Sequence, residues 1–342
     1  MDGRWRSPVL RSVLALWVAA IGLLLSGAAA AATLKIATLS PEGSVWTKML
    51  REGGRQVEAE TGGRVSFKFY PGGVMGDDKA VLRKIRVGQL HGAVVTSGAL
   101  VQTYPDIGLY GLPMAFRSAS EADHVRGRMD AELLQGLEEK GFVAFGIAEV
   151  GFAHAMSRAV ITSVKDARAL KVWVPDNDPG SARAFGAFGI APIPLPIADV
   201  LGGLQTGLID SVATPPVAAI ALQWHTQLAH VMDLPMVYVY GLLAVAKRTF
   251  DRIEPADQEV MQRVMGGVVE TVNARSRSDH EQASAALRNQ GLVWHETAQA
   301  ERVEWQRLAD AASRRMVGEG FITAARYQEM LGHLEVYRAS AN

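Results

Sequence analysis

Strand-like runs alternate with helical patterns over most of the chain, and this alternation limits the possible folds more than any other feature of the sequence. The run Val65–Tyr70 ends at Pro71-Gly72-Gly73 and is followed by a helical pattern that begins at Asp77. An acidic residue suits that position because the N-terminal end of a helix carries partial positive charge. Strands that alternate with helices predict a largely parallel sheet with helices on both faces, so the predicted fold class is α/β.

Helices dominate the last third of the chain. The longest is predicted at Pro255–Asn289, because proline is tolerated in the first turn of a helix. Other helices are predicted at 179–188, 198–204, 215–230, 300–317 and 321–337. The predicted strands are Leu34–Leu39, Val65–Tyr70, His91–Thr96, Gly141–Glu149, Leu170–Val174, Leu208–Ala213 and Val237–Val245.

The length of the chain and the order of these segments indicate two α/β domains joined by crossing strands. A cleft between two such domains is where open α/β sheets bind ligands, and a hinge lets the domains close over a ligand. The first interpretation is therefore a receptor for a small-molecule ligand, and the rival interpretation is a secreted enzyme.

The first 32 residues are predicted to be a cleavable signal peptide. Arg4, Arg6 and Arg11 precede an apolar run at Val13–Leu25, and small residues at Ala28–Ala32 offer cleavage positions. The apolar run is shorter than the roughly 20 residues that a membrane-spanning helix needs. The mature protein is therefore expected in the periplasm.

Composition excludes several classes of partner and reaction. The chain has 35 basic and 35 acidic residues, so we expect neither a nucleic acid nor an anionic membrane surface as a partner. It has no cysteine, so disulfides cannot stabilise it. The sequence lacks the usual nucleophile, zinc-protease, phosphate-loop and dinucleotide motifs, and its eight histidines are scattered singly. No cofactor and no metal site are predicted.

Four segments carry a family resemblance, and they read PGGVMGDDKAVLRKIRVGQL at 71–90, YGLPMAFRS at 110–118, KVWVP at 171–175 and PIPLPIADVLGGLQTGLID at 192–210. From residue 33 to beyond 330 the chain resembles the extracytoplasmic receptors of tripartite ATP-independent periplasmic (TRAP) transporters, the DctP type. The resemblance implies a two-lobe periplasmic binding protein fold with a long inter-lobe helix and a helical C-terminus. It also implies a ligand enclosed between the lobes and delivery to the TRAP membrane permease subunits.

The predicted lobe boundaries combine this resemblance with the crossing strands. Lobe I is expected to consist of residues 33–153 plus about 240–342, and lobe II of residues 154–239.

The sequence departs from the family at the residues that bind an anion. The family usually has a carboxylate-binding arginine where this chain has Trp173, and many members have a second arginine where this chain has Ala153. Truncating one partner of a buried ion pair typically costs about 2 to 5 kcal/mol. An indole face covered by ligand offers on the order of 100 Å² of apolar contact, which contributes about 2.5 kcal/mol. We therefore predict a ligand that is apolar or weakly polar.

The predicted ligand site combines apolar walls with a few polar groups that orient the ligand. A tryptophan at a strand end commonly packs in a core, and the family position is what assigns Trp173 to the cleft. Trp46 lies on an apolar helical stripe and is predicted to be core. The predicted site residues are Trp173, Phe152, Ala153, Ile197, Leu39, Leu100 and Trp224 as walls, and Ser97, Thr96, Thr214 and Asn177 as polar groups.

Two further interpretations of the protein and the identity of one partner remain open at this point. The protein could be an organic-acid receptor in which His154 or Arg117 replaces the missing arginine. It could be a sensor with the same cleft. Some branches of the family work with a tetratricopeptide-repeat periplasmic partner and have been proposed to handle hydrophobic ligands, and the absence of the arginine resembles that branch.

Overall fold

The computed structural model describes residues 31–176 and 178–340. The predicted signal peptide lies outside the described residues except for its last two positions, and Ala32 already begins the first strand. No helix within the described ranges is both long enough and apolar enough to cross a membrane.

The α/β fold class is confirmed by the order of the elements. The strands are β1 Ala32–Thr38, β2 Val65–Tyr70, β3 Gly92–Thr96, β4 Phe142–Ala144, β5 Ala148–Ser157, β6 Trp173–Pro175, β7 Ile193–Leu195, β8 Ser211–Thr214, β9 His230–Asp233, β10 Val237–Ala246 and β11 Val293–Glu296. The helices are α1 Val45–Glu60, α2 Asp78–Arg86, α3 Ser97–Leu100, α4 Ala119–Glu139, α5 Val164–Arg168, α6 Pro179–Ala187, α7 Val200–Thr206, α8 Pro216–Ala221, α9 Lys247–Phe250, α10 Pro255–Asn289, α11 Gln299–Gly318 and α12 Ala324–Ser340.

Local sequence sets the starts of several helices. The Ser44 side chain accepts a hydrogen bond from the backbone N–H of Thr47 and caps α1. The Asp77 carboxylate does the same for α2 through the N–H of Ala80. Such caps satisfy backbone donors that have no partner inside the helix. Helix α10 occupies the predicted range Pro255–Asn289, with proline in its first turn.

Nine strands within the described ranges form one continuous sheet in the order β11-β9-β5-β10-β3-β1-β2, with β4 beside β10 and β8 beside β5. The prediction of a largely parallel sheet is wrong, because β10 runs antiparallel to β3, β4 and β5, and β5 runs antiparallel to β8 and β9. Each of these two long strands pairs with different neighbours at its two ends. The sheet is therefore mixed. The lobe boundaries given above stay a prediction.

The predicted strand Gly141–Glu149 is two strands, β4 and β5. The chain leaves the sheet between them, where Gly146 has a φ of 143°. That conformation favours glycine. Strand β5 then continues to Ser157, eight residues beyond the predicted end.

Two other predicted strands begin later than expected. Strand β6 begins at Trp173, and β8 begins at Ser211. Before them, the Asp210 carboxylate accepts the backbone N–H of Lys171 at 2.8 Å, and Val172 makes only an isolated bridge to Ser211. The side chain of Asp210 thus replaces one of the backbone hydrogen bonds that a regular pair of strands would form at this point.

The predicted helix 215–230 is shorter than expected. Helix α8 ends at Ala221, because Gln223 adopts a left-handed conformation with a φ of 60°. Trp224 lies in a separate 3-10 turn at Trp224–Gln227, and β9 follows.

Helix α10 packs along much of the molecule. It contacts α1, the strand β5 and helix α8. The two long strands and this helix hold the elements that surround the cavity described next.

Candidate ligand-binding site

A cavity of about 320 Å³ lies where several strands end. Thr38, Thr96, Pro175 and Thr214 line it, and each is the last residue of its strand, β1, β3, β6 or β8. The middle of β10 lines the cavity from the other side, through residues 237–241. The carboxyl ends of strands are where open α/β sheets bind ligands.

The structure brings most of the predicted site residues together. Phe152 does not line the cavity, and its ring packs on Tyr238 with the ring centroids 5.3 Å apart. Leu100 is fully buried in the core and does not line the cavity. Asn177 lies outside the described residues. The predicted residues that line the cavity are Leu39, Thr96, Ser97, Ala153, Trp173, Ile197, Thr214 and Trp224.

Ala153 lines the cavity and pairs with Val237 on β10, which also lines it. The next pair along the strands is Phe152 with Tyr238, and only Tyr238 lines the cavity. A role of Phe152 as a wall of the site stays a prediction.

Trp173 both packs in the core and lines the cavity. The side chain is 5 % exposed, and its ring centroid lies 5.0 Å from that of Trp224 at an interplanar angle of 72°. The indole Nε1–H donates to the backbone carbonyl of Leu195 at 2.9 Å. Since the polar atom is already paired, the indole presents apolar surface to the cavity.

Two tyrosines from β10 also line the cavity with their hydroxyl groups engaged elsewhere. The Tyr238 hydroxyl accepts from Arg126 Nη1 at 2.8 Å and donates to Glu149 Oε2 at 2.9 Å. The Tyr240 hydroxyl donates to the carbonyl of Ile107. Burial raises the pKa of both phenols, so they stay neutral. Tyr238 is 2 % exposed and Tyr240 is 0 % exposed, so both side chains border the cavity without offering it appreciable surface.

Sequence reasoning missed other aromatic residues of the cavity. Trp46 was expected in the core, but it is partly buried and lines the cavity, as do Phe185 on α6 and Phe321. The helical stripe that contains Trp46 gave no signal of this, because a stripe shows burial and not what the residue is buried against.

The cavity wall is poor in charge. Among the described residues that line it there is no lysine, arginine or histidine, and the single carboxylate belongs to Asp178. Asp178 caps α6, where Oδ1 accepts the backbone N–H groups of Gly180 and Ser181 at 3.0 and 3.1 Å. Oδ2 accepts the Ser181 hydroxyl at 2.5 Å. An aspartate before a proline is a recognisable helix start, but the sequence does not reveal that it faces the cavity.

Two threonine hydroxyls are the remaining polar groups of note. Thr96 and Thr214 line the cavity, and neither side chain makes a hydrogen bond to another described residue. They are available to orient a ligand.

Neither candidate for a relocated cation lines the cavity. His154 is buried, its Nδ1 lies 3.2 Å from the Met232 carbonyl, and burial lowers its pKa to about 4. Arg117 is exposed at the start of the α4 region, and its backbone N–H donates to Glu121. The described residues also contain no cluster of three or more acidic or histidine side chains that could hold a metal ion.

Comparison with known proteins identifies the family. The model of the bacterial extracellular solute-binding protein family 7, DctP, matches residues 36–319. A solute-binding protein of Verminephrobacter eiseniae is 27 % identical over 268 residues, which are 78 % of this chain and 80 % of the relative. The C4-dicarboxylate-binding periplasmic protein DctP of Rhodobacter capsulatus is 24 % identical over 258 residues, 73 % of this chain and 76 % of the relative.

Solved structures share the fold. The sugar acid binding protein DctPAm of Advenella mimigardefordensis, in complex with galactonate, has a TM-score of 0.82 at 18 % identity and covers 90 % of this chain and 98 % of its own. A TRAP periplasmic solute binding protein of Xanthobacter autotrophicus, with bound β-D-galacturonate, has a TM-score of 0.81 at 18 % identity, with 89 % and 99 % covered. The names of all four proteins describe the binding of a solute, and none of these names describes a catalysed reaction. This chain belongs to the DctP family, the bacterial extracellular solute-binding proteins of family 7.

Proposed function

We propose that this receptor works in the periplasm and closes around a small, largely apolar ligand that carries no carboxylate. We infer the ligand class from the charge of the cavity wall. The described part of this wall contains no cationic side chain and one carboxylate, Asp178. The ligand is expected to pass to the membrane permease subunits of a TRAP transporter. A tetratricopeptide-repeat partner and the site roles of the individual residues stay predictions.

An anionic ligand would meet two costs in such a cavity. A carboxylate buried without a cationic partner loses its hydration, which costs several kcal/mol. It would also be repelled by the carboxylate of Asp178. The related receptors described above hold galactonate and galacturonate, both carboxylated sugar acids. Trp173 and Ala153 stand where the family resemblance places arginines, so we infer that this receptor departs from its relatives in ligand class.

Apolar contact supplies the affinity in place of ion pairing. Leu39, Trp46 and Phe185 line the cavity and are only partly buried, so they present apolar faces to a ligand. Covering on the order of 100 Å² of such a face contributes about 2.5 kcal/mol. The hydroxyls of Thr96 and Thr214 would then fix the orientation of the ligand.

The second candidate, an organic-acid receptor with a relocated cation, has less support. It requires His154 or Arg117 to face the ligand, and neither lines the cavity. A His154 partner would also have to be protonated, although burial lowers its pKa to about 4.

Native mass spectrometry of the purified mature protein tests the proposal. We expect a co-purified neutral or cationic molecule with a large apolar part, and thermal stabilisation by similar compounds. Stabilisation by galactonate or a C4-dicarboxylate, with no response to apolar compounds, would refute it.

A further inference from the structure

We propose that Asp178 selects a ligand whose polar head is a hydrogen-bond donor, an ammonium group above all. This inference rests on the proposed apolar ligand and adds the chemistry of its head group. Asp178 is the single carboxylate among the described residues of the cavity wall.

Asp178 has no cationic partner within the described part of the chain. Asp176, two residues earlier, pairs with Lys79 Nζ at 2.8 Å and does not line the cavity. Among the described residues, the Asp178 carboxylate accepts only the three hydrogen bonds from Gly180 and Ser181 that cap α6. A charged carboxylate is costly to place beside an apolar cavity without a counterion, and a positively charged ligand would remove that cost.

The carboxylate also retains acceptor capacity. Each carboxylate oxygen can accept about two hydrogen bonds. Oδ1 already accepts two, from the N–H groups of Gly180 and Ser181, whereas Oδ2 accepts one, from the Ser181 hydroxyl. Within the described residues, one acceptor position of Oδ2 is therefore unfilled and could accept a donor on the ligand.

The aromatic wall favours the same kind of ligand. The faces of tryptophan, tyrosine and phenylalanine rings attract cations, and desolvation strengthens this attraction. Trp46 and Phe185 line the same cavity as Asp178 and are only partly buried, and no described arginine or lysine of the wall competes for their faces. Carboxylate and rings together attract an ammonium group and reject an anion.

Three probes with one hydrocarbon body test the inference, namely 2-phenylethylamine, 2-phenylethanol and 3-phenylpropanoate. Their affinities for the full mature protein are measured by calorimetry at pH 7. The key variant is Asp178→Asn, because asparagine caps a helix about as well as aspartate and so removes the charge while keeping the cap. Asp77→Asn is the matched control, since Asp77 caps α2 and does not line the cavity.

We expect the wild type and Asp77→Asn to bind the amine at least about tenfold more tightly than the carboxylate, which corresponds to about 1.4 kcal/mol. In Asp178→Asn this ratio should fall to within about threefold. An unchanged ratio in Asp178→Asn, or a wild type without preference for the amine, would overturn the inference.

The alcohol separates this inference from the proposed function. If the wild type and Asp178→Asn bind 2-phenylethanol with equal affinity, the proposal of an apolar ligand is supported whatever the affinity for the amine. If only the carboxylate binds the wild type, both the inference and the proposed function fall.

Discussion

The carboxylate of Asp178 lies directly against the backbone of Gly98. A Cβ atom at position 98 would stand 2.7 Å from Asp178 Oδ2, closer than unbonded atoms approach. Gly98 belongs to α3 at the end of β3, and Asp178 caps α6, so these two elements meet across the cavity wall only because position 98 has no side chain.

Gly98→Ala should therefore weaken ligand binding without unfolding the protein. The added methyl group pushes α3 and α6 apart and opens the cavity to water. We expect the affinity for the best apolar ligand to fall about tenfold or more, measured by calorimetry. Gly202→Ala is the control, because no atom lies within 4 Å of a Cβ at that position of α7. Equal affinities in the two variants would contradict the role of this contact.

Trp173→Phe should weaken both ligand binding and the fold. The variant keeps an aromatic side chain but loses contact area and the hydrogen bond to Leu195. We expect a several-fold to tenfold loss of affinity and a destabilisation of about 1 kcal/mol. Trp305→Phe is a matched control, since Trp305 is buried, does not line the cavity, and its Nε1 has no hydrogen-bond partner among the described residues.

The control should lower the free energy of unfolding and leave the affinity unchanged. If both tryptophan variants affect binding equally, Trp173 acts through the fold alone. Trp173→Ala is less informative, because large cavities in a core typically cost about 3 to 5 kcal/mol.

Tyr238→Phe should lower the stability of the fold and leave the ligand affinity nearly unchanged. The ring that lines the cavity remains, but Arg126 Nη1 and Glu149 Oε2 both lose the hydroxyl between them. Leaving buried polar groups unpaired costs about 1 to 3 kcal/mol. We expect urea denaturation to show that loss and calorimetry to show an affinity within about twofold of the wild type. A large loss of affinity would mean that the hydroxyl reaches the ligand.

The stability of the protein should fall in mild acid because of His154. Burial lowers its pKa to about 4 from the usual 6.5, so the unfolded chain takes up a proton on this residue at a higher pH than the folded chain. The contribution of neutral His154 is thus fully present above about pH 6.5 and is lost as the pH falls towards 4. We expect the free energy of unfolding to drop by about 2 kcal/mol between pH 7 and pH 5 from this residue.

His154→Gln should remove that part of the pH dependence. Denaturant titrations at pH 7 and pH 5 give the comparison. Some dependence should remain, because burial also lowers the pKa of His280, whose ring centroid lies 6.0 Å from that of His154. A variant with the full wild-type dependence would show that His154 is not its source.

Local patterns predicted those parts of the fold that depend on nearby residues. The limits of β2 and α10 follow from proline and glycine punctuation and from helical periodicity, and they agree with the structure. The length of β5 could not be predicted, because it is set by pairing with β8 and β9, which lie more than 50 residues away.

The residues of the site can also be divided into those that the sequence predicted and those that only the tertiary structure brings to the cavity. Trp173 was assigned to the cavity because its family position is known, although its strand is shorter than predicted. Asp178 and Tyr238 reach the same cavity only through the approach of α6 to α3 and the path of β10, and neither leaves a trace in the local sequence. The place of Phe152 depends on how β5 pairs with β10, which the local sequence does not reveal.

Helix α10 limits how the cavity can open. Its 35 residues extend about 52 Å and are held by α1, by β5 and by α8. If the cavity opens by rotation about β5 and β10, we expect α10 to bend or to slide over one of these three elements. The stiffness of the helix would then limit how often the empty receptor opens.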